Sequence, residues 1–167
     1  MDRFLVETKI AADESGELSG LAWPFGTPDR VGDVIEKGAF SNVSLPLPML
    51  FGHDMTDPVG AWAEAVEKED GLHVKGSLLV NDLPRAREVH ALIKAGAVRG
   101  LSIGFSPKKA APRRGGGRTI KALELVEISL VTVPMHPDAR VASAKSAIAA
   151  LRIAEAINRA AAQIGRN

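Results

Sequence analysis

The sequence predicts a mainly β fold of the α+β class, built as a closed barrel or a sandwich with helices added. Many short segments alternate apolar and polar residues with a period of two, and turns rich in Gly, Asp and Pro separate them. A single helical pattern interrupts these segments before an Ala-rich C-terminal stretch begins. A chain of 167 residues with 46% apolar content is long enough for one core. We therefore expect a barrel domain at residues 1–141 and a helical tail at residues 142–167.

The first part of the chain predicts five or six strands. Residues 4–10 alternate in period two, and residues 17–26 are expected to pair with them as an antiparallel hairpin. Residues 27–40 are predicted as a loop that ends in a short helical turn, and residues 48–54 form a brief apolar segment. Residues 57–80 predict a second hairpin, because a Glu-Asp-Gly tripeptide supplies a tight turn at its centre.

The middle of the chain predicts a helix. Asp82 is expected to cap its start, and Gly96 provides the stop signal. Ala86, Val89 and Ile93 recur at helical spacing, so they predict the face that packs on the core.

Two long strands are predicted next, at residues 98–107 and 119–134, because both runs are apolar and rich in β-branched residues. Residues 108–118 between them are basic and contain three Gly and one Pro, which predicts a surface loop without regular structure. We expect the basic side chains of this loop to face solvent. An alternative is that they contact the acidic half of a neighbouring chain or packaged nucleic acid. Residues 142–164 repeat apolar side chains at helical spacing and predict the terminal helix.

Charge and composition argue against several classes of function. The net charge is +1, so overall charge does not indicate a nucleic-acid or membrane partner. The charge is unevenly distributed: residues 1–83 carry six Lys/Arg and fifteen Asp/Glu, whereas residues 84–167 carry fifteen Lys/Arg and five Asp/Glu. The chain has no Cys, which excludes thiolate chemistry, and no Tyr for stacking on bases. No run of about 18 apolar residues occurs. We expect an intracellular soluble protein without cofactor or metal.

One short motif suggests covalent catalysis. The segment GLSIG at residues 100–104 matches the G-x-S-x-G pattern, with Ser102 as the nucleophile. In α/β-hydrolases a helix follows this serine, whereas Pro107 and Pro112 forbid a helix here. Ser102 is therefore predicted on a strand, either as the nucleophile of another fold or as a small structural residue.

A nucleophilic serine needs a base to accept its proton. The chain has four histidines. His73 in a strand and His90 on the helix are predicted at the surface, and His136 lies on a loop between prolines. His53 ends an apolar segment and is the preferred base.

The base in turn needs an orienting acid, and two carboxylates lie in the apolar strand at residues 119–134. Glu124 and Glu127 are predicted on opposite faces of this strand, because side chains alternate in period two. A glutamate buried there needs a partner, and an imidazolium would provide it.

Five ordered segments of the sequence resemble the prohead maturation proteases of tailed bacteriophages, which are serine peptidases related in fold to the herpesvirus capsid protease. The segments are residues 20–40, 48–62, 71–80, 86–105 and 123–141. The resemblance implies a closed barrel of about seven mostly antiparallel strands with surrounding helices. It also implies a catalytic order of His53, Ser102 and Glu127, with Glu124 as the rival acid and Arg140 as a candidate for stabilising the oxyanion. Gly100 and Gly104 would leave room for the substrate backbone.

The resemblance further implies the partners. These are the major capsid protein with its scaffolding segment, and the chain itself through autoprocessing or as a homodimer, inside the assembling procapsid in the host cytoplasm. No membrane or nucleic-acid partner is expected. Two alternatives stay open: a non-catalytic capsid scaffold or assembly module, and a small esterase that uses Ser102, Glu124 and His136.

Overall fold

The computed structural model of the protein describes residues 15–142. These residues form eight strands and one helix. In chain order they are β1 (Glu17–Pro24), β2 (Val34–Ile35), β3 (Leu47–Phe51), β4 (Pro58–Glu67), β5 (Gly71–Leu78), α1 (Pro84–Lys94), β6 (Gly100–Pro112), β7 (Arg118–Val131) and β8 (Arg140–Ala142).

Seven of these strands close into a barrel. The order around it is β7, β3, β4, β5, β1, β8 and β6, and the pairing of β6 with β7 completes the ring. Six of the seven contacts are antiparallel, and the contact of β3 with β7 is parallel. The predicted barrel of about seven mostly antiparallel strands is confirmed, and so is the hairpin of β4 and β5.

The core fills the inside of the barrel. Trp62 is fully buried there, and its indole N–H donates to the carbonyl of Ile128 at 2.9 Å. This bond satisfies the polar atom of a large apolar side chain. Along β6 and β7, Leu101, Leu125 and Leu130 belong to the same apolar cluster. The side chains that alternate with them point to the outer face of the barrel.

Helix α1 buries all three apolar residues of the predicted face. The predicted cap is wrong, because Leu83 and not Asp82 is the N-cap residue. Pro84 occupies the first turn, where its missing N–H costs nothing, and it keeps Leu83 extended at φ −115° and ψ 120°. Gly96 follows the helix with a φ of 75°, as its predicted role as a stop requires.

The predicted unstructured loop at residues 108–118 is also wrong. Strand β6 stays paired with β7 as far as Pro112 opposite Arg118, so only residues 113–117 turn. Register shifts within Pro107–Ala110 accommodate the first proline.

Residues 108–118 thus form a basic ribbon at the ends of β6 and β7, and the tip of this basic ribbon is anchored to the loop before β2. Asp33 accepts hydrogen bonds from the backbone N–H of Arg118 at 2.8 Å and from its Nη2 at 2.6 Å. The guanidinium of Arg118 lowers the pKa of the Asp33 carboxyl, because its hydrogen bond favours the charged form. The basic ribbon is therefore held in place by an ion pair.

The remaining predictions concern residues 27–40, the start of the tail and the two ends of the chain. Residues 27–40 contain the two-residue strand β2, which pairs in parallel with β7, and they end in the predicted turn, where the Ala39 N–H donates to the carbonyl of Glu36 at 3.1 Å. Ala142, expected to begin the tail, belongs to β8. The predicted strand at 4–10 and the tail helix beyond residue 142 lie outside the described residues. Within residues 15–142, no helix is long and apolar enough to cross a membrane.

Candidate active site

The outer face of β7 carries the central carboxylate of the site. Glu127 is buried, with 3% of its surface exposed, although it points away from the apolar cluster. A bulge explains this direction: Gly104 pairs with Glu127 and Phe105 with Leu125, so Val126 is an extra residue on β7. Glu124 and Glu127 consequently share the outer face. The prediction that they lie on opposite faces is wrong because one bulge resets the alternation.

His53 reaches this carboxylate from a tight turn after β3. Gly52 and His53 both adopt the left-handed conformation, with φ values of 65° and 64°. Asp54 N–H closes the turn by donating to the carbonyl of Phe51 at 3.2 Å. Left-handed backbone is uncommon outside glycine and collects at functional sites, where surrounding contacts hold it.

A ring of hydrogen bonds supplies those contacts. His53 Nδ1 lies 2.7 Å from Glu127 Oε1, and the backbone N–H of His53 donates to Ser129 Oγ at 3.0 Å. The Ser129 hydroxyl donates to Glu127 Oε2 at 2.7 Å. Both carboxylate oxygens are thus engaged, as a buried carboxylate requires. A carboxylate beside Nδ1 favours the tautomer with the proton on Nδ1, which leaves Nε2 as the basic nitrogen.

Ser129 was not singled out by the sequence analysis. It is fully buried and lies two residues after Glu127, so both side chains lie on one face of β7. That spacing of Glu and Ser on an apolar strand was the available signal.

Ser102 lies on the neighbouring strand. The register of β6 and β7 sets it directly opposite Ser129, and such pairs have Cβ atoms about 4.5–5.5 Å apart. It is 4% exposed, and its neighbours Leu101 and Ile103 face the core, so its side chain shares the outer face with Glu127. Ser102 makes no hydrogen bond to His53 within residues 15–142. Catalytic hydrogen bonds are often long in free enzymes and tighten when substrate binds.

The rival acid and base lie in other surroundings. Glu124 is exposed, and Lys108 Nζ lies 2.6 Å from its carboxylate; this contact lowers the pKa of Glu124. His136 is 1% exposed, packs edge-on against Trp23 with ring centroids 5.1 Å apart, and lies 3.2 Å from Thr27 Oγ1. Each has structural partners of its own. Neither joins the ring around His53.

Gly100 and Gly104 were expected to leave room for the substrate backbone, but each makes room for a neighbouring part of the chain itself. A Cβ at Gly104 would collide with the carboxylate of Glu127, and a Cβ at Gly100 would come within 2.7 Å of Pro134. Gly104 therefore gives space to the Glu127 carboxylate, and Gly100 lets the loop after β7 pack closely.

A serine beside a histidine–carboxylate pair, on the outside of a closed β barrel, is the set of groups that serine hydrolases use. The family model described as Caudovirus prohead serine protease matches residues 5–153. The chain therefore belongs to this family of serine peptidases from phage capsid maturation, as its sequence segments suggested.

Curated relatives agree with this assignment. The chain is 37% identical to the capsid polyprotein of Pseudomonas phage PAJU2, over 84% of this chain and 22% of the relative. It is 35% identical to the prohead protease of Enterobacteria phage HK97, over 84% of this chain and 65% of the relative. It is 34% identical to the prohead protease of Escherichia phage T5, over 71% of this chain and 58% of the relative. The chain thus spans less than two thirds of the length of these relatives.

Solved structures agree on the fold. The KSHV protease in complex with a hexapeptide phosphonate inhibitor has a TM-score of 0.51 at 15% identity, covering 75% of this chain and 63% of that one. The bacteriophage T4 capsid assembly protease has a TM-score of 0.54 at 13% identity, covering 69% of this chain and 80% of that one. The barrel is therefore a herpesvirus-protease-like fold.

Proposed function

We propose that the chain is a serine endopeptidase with Ser102 as nucleophile, His53 as general base and Glu127 as the orienting acid. The observation that carries the proposal is the hydrogen-bonded ring of His53, Glu127 and Ser129 beside Ser102. Nδ1 of the imidazole is engaged by the carboxylate, so Nε2 is the nitrogen available to a hydroxyl.

The proposed reaction has two halves. Ser102 Oγ attacks the scissile carbonyl carbon while His53 Nε2 takes its proton, and the same proton passes to the departing amine. Water then attacks the acyl-serine by the same route and releases the second product. Glu127 stabilises the imidazolium in both halves, and Ser129 fixes the carboxylate and the turn that carries His53.

The proposed substrates are the scaffolding segment of the major capsid protein and the protease chain itself, cut inside the assembling procapsid. Two relatives bear the name prohead protease, and a third is a capsid polyprotein of which this chain covers about a fifth. A protease and a capsid sequence within one precursor would favour cutting at close range. This supports the capsid protein as substrate.

Two histidine variants test the choice of base. In cells that make this chain together with the major capsid protein, His53→Ala should abolish cleavage of both chains, because Ser102 then has no base. His136→Gln should leave the cleavage pattern intact, because this side chain is a structural partner of Thr27. Mass spectrometry of both chains measures the outcome.

The alternative functions need one further assay, the turnover of an ester substrate by the purified variants. An inactive His136→Gln variant with a normal melting temperature, beside an active His53→Ala variant, would favour the esterase arrangement in that assay. No cleavage of either chain by the unmodified protein would favour the scaffold module.

The space at Gly104 gives a second prediction. Gly104→Ala should push the Glu127 carboxylate away from His53, and a displacement of about 1 Å in a catalytic group can cost on the order of 10²-fold in rate. Turnover of a cleaved capsid peptide measures the loss. Ser106→Ala, an exposed change on the same strand, is the matched control. Full activity in Gly104→Ala would contradict a role for the Glu127 position.

A further inference from the structure

A cleft lined by three arginines opens at Gly100, two residues before Ser102 on β6. Arg30, Arg99 and Arg140 line it together with Gly100, and its volume is about 220 Å³. The proposed roles of His53 and Glu127 use none of these three charges, and one of the three, Arg140, is the residue that the family resemblance implied for stabilising the oxyanion.

The strand pairings place this cleft next to the serine. Gly100 lies two residues before Ser102 on the same face of β6, which corresponds to about 6–7 Å along the strand. Arg140 on β8 pairs directly with Gly100. Pro134, which lines the cleft, packs close above Gly100.

Backbone contacts hold two of the arginines. Arg30 Nε donates to the carbonyl of Pro134 at 3.1 Å, and Arg140 Nη2 donates to the carbonyl of Pro137 at 3.2 Å. The guanidinium of Arg99 has no hydrogen-bond or ion-pair partner among residues 15–142. These contacts fix the positions of Arg30 and Arg140, and leave donors of all three free for a ligand.

The charged side chains that line the cleft are all positive. Its lining contains no Asp or Glu within the described part of the chain, so three like charges share one small space. Repulsion among them is relieved when an anion binds. A carboxylate matches the planar donors of arginine and forms charge-assisted, often bidentate hydrogen bonds.

The rim of the cleft suits a peptide. Val31 and Val133 are 61% and 68% exposed, and Met135 is 45% exposed. Arg30 N–H donates to the carbonyl of Met135 at 3.2 Å, which joins the two loops that carry these apolar side chains. Exposed apolar residues around a polar pocket are typical of a binding surface.

We propose that this cleft is a subsite that binds an acidic side chain of the peptide cut at Ser102. The inference rests on the proposed peptidase function and adds the chemistry of the substrate to it. The cleft is smaller than the 300–1,000 Å³ or so of typical small-molecule pockets, so it fits one side chain. An Asp or Glu within a few residues of the scissile bond would reach it while the peptide lies along the outer face of β6.

Digestion of a proteome-derived peptide library tests the proposal. The unmodified chain should cut peptides that are enriched in Asp or Glu at one position near the scissile bond. Arg99→Gln should lower the preference for acidic over amide side chains at that position by about 10-fold or more, the worth of a hydrogen bond to a charged group. Arg99→Glu leaves Arg30 and Arg140 beside one carboxylate, so it should lower this preference further than Arg99→Gln does.

Controls separate the possible failures. Lys109→Gln also removes one positive charge, but Lys109 lies on β6 outside the cleft lining. This variant should leave the preference for acidic side chains unchanged. Cleavage that depends on Ser102 but shows no acidic preference, or a preference that both Arg99 variants retain, would overturn the subsite alone. Absence of any cleavage that Ser102→Ala abolishes would overturn the peptidase function, and the subsite with it.

Discussion

Ser102→Ala is expected to lower the turnover of peptide cleavage by about 10⁴- to 10⁶-fold, because Ser129, the other hydroxyl next to His53, is fully buried and donates its proton to Glu127. Residual acceleration over water would come from binding and oxyanion stabilisation alone. Measurement requires a peptide taken from a mapped cut site, assayed by liquid chromatography with the purified chain.

The fold should survive this change. Ser102 makes no hydrogen bond to His53 within the described residues, and its removal leaves a small gap on the outer face of the barrel. The melting temperature should therefore stay close to that of the unmodified chain, as should that of Ser106→Ala. If Ser102→Ala cleaves at more than a few per cent of the normal rate, Ser102 is not the nucleophile.

The parts of the fold that the sequence predicted well are those fixed by local periodicity. The buried face of α1 follows from the spacing of Ala86, Val89 and Ile93, and all three are fully buried. The hairpin of β4 and β5 follows from a turn tripeptide between two alternating runs. Closure of the barrel is not local, and its prediction depended on the family resemblance.

The errors at Glu127 and in the basic ribbon share a cause, because both features depend on contacts between distant segments, whereas the wrong helix cap reflects the local effect of Pro84. The bulge at Val126 is set by the pairing of β7 with β6, and it turned Glu127 to the same face as Glu124. The basic ribbon is regular because β6 pairs with β7 as far as Pro112, and Asp33, far along the chain, anchors it at Arg118. Neither contact can be inferred from the period of a single segment.

The candidate site shows the same division. The approach of His53 to Glu127 was an expectation from the family resemblance, and the two side chains are hydrogen-bonded. Their catalytic roles stay predictions. The part played by Ser129 was not predicted, because its spacing from Glu127 shows only that the two side chains share a face of β7. Only the left-handed turn at His53 brings a backbone N–H to the Ser129 hydroxyl.

Glu127→Gln is expected to lower the turnover of peptide cleavage by roughly 10²- to 10⁴-fold, by analogy with neutral replacements of a triad acid. The amide can turn its NH₂ group towards Nδ1, which moves the imidazole proton to Nε2 and blocks acceptance of the Ser102 proton. It also removes the negative charge that stabilises the imidazolium. The size of the amide matches that of the carboxylate, so the barrel should keep its melting temperature to within a few degrees.

Glu124→Gln is the matched control for this prediction. It makes the same chemical change three residues earlier on the same face of β7, but it loses only an exposed ion pair with Lys108, and solvent screens such pairs strongly. Turnover should therefore stay at the level of the unmodified chain. A large loss in Glu124→Gln with little change in Glu127→Gln would reassign the acid to Glu124. That result would mean that the ring around His53 holds the barrel together without taking part in catalysis.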